Sequence, residues 1–77
     1  MNKLDLLRTI KSAGIVRQRG QHADFEEVLA LIDRLELEGL IEDVYRHRES
    51  QSAAHAVDLV KVMKVTNHGG ALIKAMI

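Results

Sequence analysis

The side chains of this chain whose types could do chemistry are basic and hydrogen-bonding groups gathered in two places. The larger group is Arg46, His47, Arg48, Ser50, Gln51, Ser52 and His55, and the smaller group is Arg17 with Arg19. A guanidinium group presents a planar fork of N–H donors that suits phosphate or carboxylate oxygens. The spacing predicts a basic hairpin tip that the smaller group could join. The alternative is a solvated tip whose arginines pair with neighbouring acids.

The sequence contains no recognisable catalytic or metal-binding motif. It has no cysteine, and its serines lack a nucleophile context such as G-x-S-x-G. No two of the four histidines are three or four residues apart, and only His47 and His55 could meet across a hairpin. The phrase NHGG at 67–70 lacks the Lys-Ser or Lys-Thr that ends a phosphate loop. We therefore expect no enzymatic activity, no cofactor and no metal site.

The charges are segregated along the chain although the net charge is +0. Residues 1–20 are mostly basic, residues 21–43 are mostly acidic, and residues 44–77 are mostly basic again. A neutral total disfavours general binding to polyanions, so local fields of opposite sign must carry any electrostatic recognition.

Two helices are predicted to position these groups. Residues 3–13 carry apolar side chains at helical spacing, with Asn2 able to cap the start and Gly14 able to end the helix. Residues 24–38 carry a second stripe, which consists of Val28, Leu29, Ile32 and Leu35, with Phe25 and Leu31 at its margins.

The ends of the second helix also carry signals. Asp24 followed by Glu27 predicts a capping box, and Gly39 predicts the C-terminal stop. Between the helices, residues 14–23 form a connector in which Ile15 and Val16 either make a short strand or pack into the core.

The second half of the chain predicts strands. Residues 40–48 and 57–65 contain β-branched residues in partial alternation, and we expect them to pair as an antiparallel hairpin with a long tip. A helix over residues 56–65 is the alternative. Thr66 can cap a short C-terminal helix. The expected architecture is a single α+β domain over residues 1–77, whose aliphatic core is thin enough to favour association.

Two phrases resemble the winged-helix family of DNA-binding domains. LIDRLELEGLIED is similar to the end of a recognition helix, written L-x-x-L-x-x-x-G-L-I, and the matching residues are Leu31 or Ile32, Leu35, Gly39, Leu40 and Ile41. KVTNHGGALI is similar to the phrase that follows the wing, and the matching residues are Val65, Thr66 and Gly69. A full winged helix has one more helix, for which only residues 14–23 are present, so the resemblance is to a reduced domain.

The resemblance implies a small DNA-associated transcription regulator, in which helix 24–38 enters the major groove of double-stranded DNA and the hairpin is a wing. The outward face of this helix, however, holds Arg34 among four acids, and specific readers place Arg, Lys, Asn or Gln there. We therefore expect DNA contacts mainly from the wing and connector. The predicted DNA-binding residues are Arg17, Arg19, Arg34, Arg46, His47 and Arg48.

A protein-interaction module, such as an adaptor or inhibitor, is the second hypothesis. Its contact surface would be the acidic helix, with Leu37 exposed among Glu26, Glu27 and Asp33, facing a basic protein partner or the basic residues of a second copy. The apolar segment ALIKAMI either closes the core or forms the seam of a homodimer. No apolar run approaches the roughly 20 residues of a membrane span. The N-terminal residues do not form the apolar region of a signal peptide, because charged residues interrupt them, namely Lys3, Asp5, Arg8 and Lys11. We therefore expect a cytoplasmic protein.

Overall fold

The computed structural model describes residues 1–48 and 57–75. Its elements in chain order are α1 (Lys3–Ala13), β1 (Ile15–Gln18), α2 (Phe25–Leu37), β2 (Ile41–Glu42), β3 (Tyr45–Arg48), β4 (Val57–Val62), β5 (Lys64–Val65) and α3 (Asn67–Ala75). The α+β class predicted from the sequence is confirmed: helices pack against antiparallel sheets.

Helix α1 forms where the sequence predicts it. The side chain of Asn2 accepts a hydrogen bond of 2.8 Å from the amide of Asp5, which satisfies one of the unpaired N–H groups of the first turn. Gly14 ends the helix with a φ of 76°, a region that other residues rarely adopt. Leu6, Leu7 and Ile10 are buried.

Helix α2 keeps its predicted extent to within one residue, but the predicted capping box is wrong. Asp24 occupies the N-cap position without a capping hydrogen bond from its side chain, because its carboxylate is bound to Arg17 instead. The other end follows the prediction. Gly39 has a φ of 73°, and its amide and that of Leu40 donate to Glu36 and Leu35 in a Schellman arrangement.

The connector between the helices contains a strand and a turn instead of a further helix. Ile15 and the next three residues form β1, whose register with β4 runs from Ile15 opposite Val62 to Gln18 opposite Leu59. A turn follows, in which the Gln18 carbonyl accepts from the amide of His22, and the His22 ring accepts from the amide of Gln18. The turn brings the chain directly into α2.

The predicted hairpin is confirmed, and the alternative helix over residues 56–65 is wrong. β3 and β4 pair antiparallel, and β1 joins the other edge of β4, so that the sheet order is β1-β4-β3. Each predicted strand is divided in two. Asp43, with a φ of 56°, separates β2 from β3, and the β2–β5 pair forms a second small sheet.

The two phrases that carry the family resemblance contact each other. β2 pairs with β5, and Thr66 joins them to α3. The Thr66 hydroxyl donates to the carbonyl of Gly39 at 2.7 Å, and its oxygen accepts from the amide of Gly69 at 3.0 Å, which caps α3 as predicted. The Thr66 amide donates to the carbonyl of Leu40. The end of α2 and the start of α3 therefore form one packed junction.

The core is aliphatic, as the composition requires. Its buried members are Leu6, Leu7, Ile10, Ile15, Phe25, Val28, Ile32, Leu35, Leu40, Ile41, Val57, Val60, Val62 and Ile73. Phe25, the first residue of α2, is buried rather than marginal, which corrects the sequence prediction. Among the described residues, no helix combines the length and hydropathy that a bilayer span requires.

Candidate interaction surfaces

The three-stranded sheet has an inner face toward the helices and an outer face toward solvent. The strand register assigns each side chain to the inner or the outer face, because residues directly opposite one another in antiparallel strands lie on the same face. Val60 is buried, and its partners are Arg17 on β1 and Arg46 on β3. Two arginines that the sequence assigns to DNA contact therefore lie on the inner face, beside α2.

Arg46 is bound to two acids of α2. Its guanidinium donates to Asp33 at 2.6 Å and to Glu36 at 2.9 Å, and its side chain is 21% exposed. Partial burial favours loss of the proton, but hydrogen bonds and charges from Glu36 and Asp33 outweigh it and raise the pKa of Arg46. The guanidinium is thus charged throughout the working pH range. With two carboxylates around one cation, the local charge is negative.

Arg17 and Arg19 bind acidic side chains at the start of α2. Arg17 donates to the Asp24 carboxylate at 3.0 Å. Arg19 pairs with Glu26 and donates to the Val57 carbonyl at 3.0 Å, while its guanidinium lies 4.8 Å from the centroid of the Phe25 ring. These arginines join β1 and β4 to α2, and they do not form a separate basic surface.

The remaining acids of α2 are also paired within the chain. Glu27 binds the amino group of Met1 at 3.2 Å, and Glu38 binds Lys3 at 2.8 Å. The positions predicted to face outward are all exposed, namely Glu26, Glu27, Ala30, Asp33, Arg34, Leu37 and Glu38. The predicted protein-interaction surface is therefore exposed, with Leu37 at 84%, but each of its carboxylates is paired with a positively charged group of the chain.

Two predicted DNA-binding residues lie at the described end of the hairpin. His47 is exposed and contacts Asp58 at 2.7 Å. Arg48 is exposed at the end of β3 and has an interaction partner. The rest of the predicted tip, Ser50, Gln51, Ser52 and His55, lies outside the described residues. Arg34 differs from the other predicted contacts, because it is exposed and makes no ion pair within residues 1–48 and 57–75.

The outer face of the sheet is a surface that the sequence prediction missed. Val16, Lys61 and Tyr45 form one cross-strand row, and Val16 and Tyr45 are 42% and 53% exposed. Met63 follows β4, is 52% exposed, and extends over Gly14, where a Cβ would lie 2.6 Å from the Met63 methyl group. Three of the large apolar side chains that contact solvent therefore share one face.

A shallow hollow of about 390 Å³ lies on this outer face. Its lining residues are Asp43, Tyr45, Lys61, Met63 and Lys64. Lys64 pairs with Asp43 at 3.1 Å, whereas Lys61 makes no ion pair among the described residues. The sequence contains a signal for this face, since Lys61 and Met63 alternate with the valines at 60 and 62. The signal is weak, because the same alternating positions earlier in the strand hold the apolar residues Val57 and Leu59.

Two other concavities lie near α3. A groove of about 630 Å³ runs between α1, β5 and α3, and its charged lining residues are Lys11, Glu42, Lys64 and Lys74. A small apolar hollow of about 100 Å³ contains Leu4 and Leu72. Leu72 is 39% exposed while Ile73 is buried, so the described part of ALIKAMI closes the core and leaves one leucine at the surface. Met76 and Ile77 lie outside the described residues.

The titratable groups do not assemble into a metal centre within the described ranges: no group of three or more His, Asp or Glu side chains could hold an ion there. The pairing of His47 with His55 lies partly outside those ranges. Comparison of the chain with protein-family models, curated proteins and solved structures gives no match.

Proposed function

We propose that this domain is a protein-interaction module whose contact surface is the outer face of the β1-β4-β3 sheet. The observation that carries the proposal is that Val16, Tyr45 and Met63 are exposed together on one face. Apolar side chains scattered over a surface need no explanation, but a group on one face is typical of a binding site. Aromatic residues and methionine are also enriched at protein interfaces.

The charged surfaces support this choice, because their arginines and carboxylates already pair with one another within the chain. Four carboxylates surround the guanidinium groups of Arg17, Arg19 and Arg46. Each exposed pair is worth only about 0–1 kcal/mol, so an arginine could be released, but the carboxylates would remain and repel phosphate. The same pairs reduce the negative charge that would attract a basic partner. The sheet face needs no such rearrangement.

Site-specific photo-crosslinking tests the proposal. A photoreactive phenylalanine derivative replaces Tyr45 in the full chain, and a matched variant carries it in place of Ala30, which is exposed on α2. Illumination in the native host should give a discrete protein adduct from position 45 and none from position 30. Equal adduct patterns from the two positions, or no protein adduct from position 45, would contradict the proposal.

A winged-helix-like, DNA-associated regulator is the second candidate. The order of helix, helix, hairpin and short helix supports it, together with Arg34, which is exposed and makes no ion pair among the described residues. Binding to mixed duplex DNA at low ionic strength should fall with added salt and should weaken in Arg34→Gln. If the wild-type chain has no affinity for duplex DNA at low salt, this candidate is excluded.

A further inference from the structure

Lys61 lies at the centre of the outer sheet face. It is flanked in register by Val16 on β1 and Tyr45 on β3, and the hollow beside it also contains Met63. The side chain is exposed and makes no ion pair within the described chain. The face therefore combines an apolar surround with one uncompensated positive charge.

We propose that this face binds a segment of another protein that presents a carboxylate flanked by apolar side chains, with the carboxylate bound to Lys61. The inference rests on the proposed function and specifies the chemistry of the partner. Val16, Tyr45 and Met63 supply the apolar contacts, and Lys61 selects for the acid.

Desolvation explains why the partner must carry the acid. Covering the apolar side chains also removes water from the Lys61 ammonium group. A buried ammonium group without a partner is costly, whereas a paired one with satisfied hydrogen bonds is tolerated. The acid nearest in the hollow, Asp43, already pairs with Lys64 at 3.1 Å. The compensating carboxylate must therefore come from the partner.

The same charge disfavours a second copy of this chain as the occupant. A two-fold dimer joins the same patch on both subunits. Since Lys61 is central in the patch, its symmetry mate would lie close to it, and like charges placed together at an interface weaken association. Among the described residues, the acid that lines the hollow on this face, Asp43, already pairs with Lys64 and does not compensate for this repulsion.

Selection from a random peptide library displayed on phage tests the inference with the intact 77-residue chain. Enriched peptides should contain Asp or Glu next to Leu, Ile, Val or Phe. Synthetic copies of these peptides are then titrated by fluorescence anisotropy. Affinity should fall by about tenfold or more in Lys61→Glu and should also fall in Tyr45→Ser. The matched control Arg34→Glu makes the same charge change on α2 and should leave affinity unchanged.

Each other outcome overturns the inference. Peptides without an acid, or affinity that survives Lys61→Glu, would remove the role of Lys61. Equal losses in Lys61→Glu and Arg34→Glu would indicate nonspecific attraction of acidic peptides. A dimer in sedimentation equilibrium that Tyr45→Ser converts to monomer would assign the face to a second copy. Lys61→Glu is expected to fold, because Lys61 is exposed, and circular dichroism checks this.

The crosslinking experiment separates this inference from the proposed function. An adduct from position 45 that persists in Lys61→Glu would retain the interaction surface and reject the acidic partner. Absence of that adduct, together with no enriched peptide, would reject both.

Discussion

Replacing Gly69 by alanine should destabilise the domain strongly, whereas the same change at Gly70 should stabilise it. The two glycines are adjacent in α3 and differ in what a new methyl group would meet. At Gly69 it would overlap the carbonyl oxygen of Leu40 and lie 2.6 Å from Cγ1 of Val65. At Gly70 the nearest atom is the ammonium nitrogen of Lys11 at 3.7 Å, an ordinary contact.

The magnitude follows from the packing. Carbon atoms prefer a separation of about 3.5–4.0 Å, so α3 would have to move by about 1 Å from the β2–β5 sheet. Overpacking of this kind costs about 1–3 kcal/mol, and displacement weakens the Thr66 hydrogen bonds to Gly39 and Leu40, each worth about 1 kcal/mol. Helix propensity favours alanine over glycine by about 1 kcal/mol. The net loss for Gly69→Ala is about 2–3 kcal/mol, against a gain of up to about 1 kcal/mol for Gly70→Ala.

Urea unfolding followed by far-ultraviolet circular dichroism measures both changes, since the chain has no tryptophan. For a domain of this size, 1 kcal/mol shifts the melting temperature by about 4–8 °C. Gly69→Ala should melt about 10–20 °C lower, and Gly70→Ala a few degrees higher, with unchanged denaturant slopes. If Gly69→Ala is as stable as Gly70→Ala, the close junction of α3 with Leu40 is refuted.

Three further predictions test the polar and backbone contacts by the same unfolding assay. Arg46→Gln should lower the free energy of unfolding by about 1 kcal/mol, because it removes two ion pairs. The difference from wild type should shrink in about 1 M NaCl. A difference that does not depend on salt would contradict its ionic origin. Gly39→Ala should cost about 1–2 kcal/mol of stability from the left-handed backbone alone, since nothing lies within 4 Å of the new methyl group. Gly39→Asn should cost less, because asparagine tolerates this backbone conformation better. Equal losses would indicate a steric clash instead. Asn2→Ala should cost about 1 kcal/mol as a lost cap. Asp24→Ala should cost less, because its side chain makes no capping bond and the substitution removes only the ion pair with Arg17. The loss at Asp24 should also shrink in about 1 M NaCl, and a larger loss that does not depend on salt would indicate that Asp24 caps α2.

Local signals in the sequence predict the helices well. Asn2 and Gly14 bound α1 as expected, and Gly39 ends α2, because each acts through backbone groups within one turn of itself. The capping box predicted at Asp24 is wrong for a reason that lies outside the helix. Its side chain suits a cap, but pairing of β1 with β4 places Arg17 beside it, and the carboxylate binds the guanidinium. A contact set by strand pairing does not appear in a local pattern.

The strands show the same limit. Alternation alone assigns Val57, Leu59, Lys61 and Met63 to one face of a continuous strand. In the structure the register shifts between His47 and Arg48, which lie opposite Leu59 and Val57. Val57 is thereby buried with Val60 and Val62, and Lys61 and Met63 lie outside. This irregularity in pairing decides the face on which Val57 lies, and the sequence does not mark its position.

The basic and acidic segments that alternate along the chain form ion pairs with one another in the fold. The acids of α2 pair with bases that come before it, such as Lys3, Arg17 and Arg19, and with Arg46, which comes after it. A segment of one charge therefore indicates a binding surface only if the rest of the chain leaves it uncompensated. By that criterion Arg17, Arg19 and Arg46 are compensated within the fold, whereas Arg34 and Lys61 make no ion pair among the described residues. Lys61, which the charge pattern does not single out, differs from Arg34 because it lies among exposed apolar side chains of the sheet.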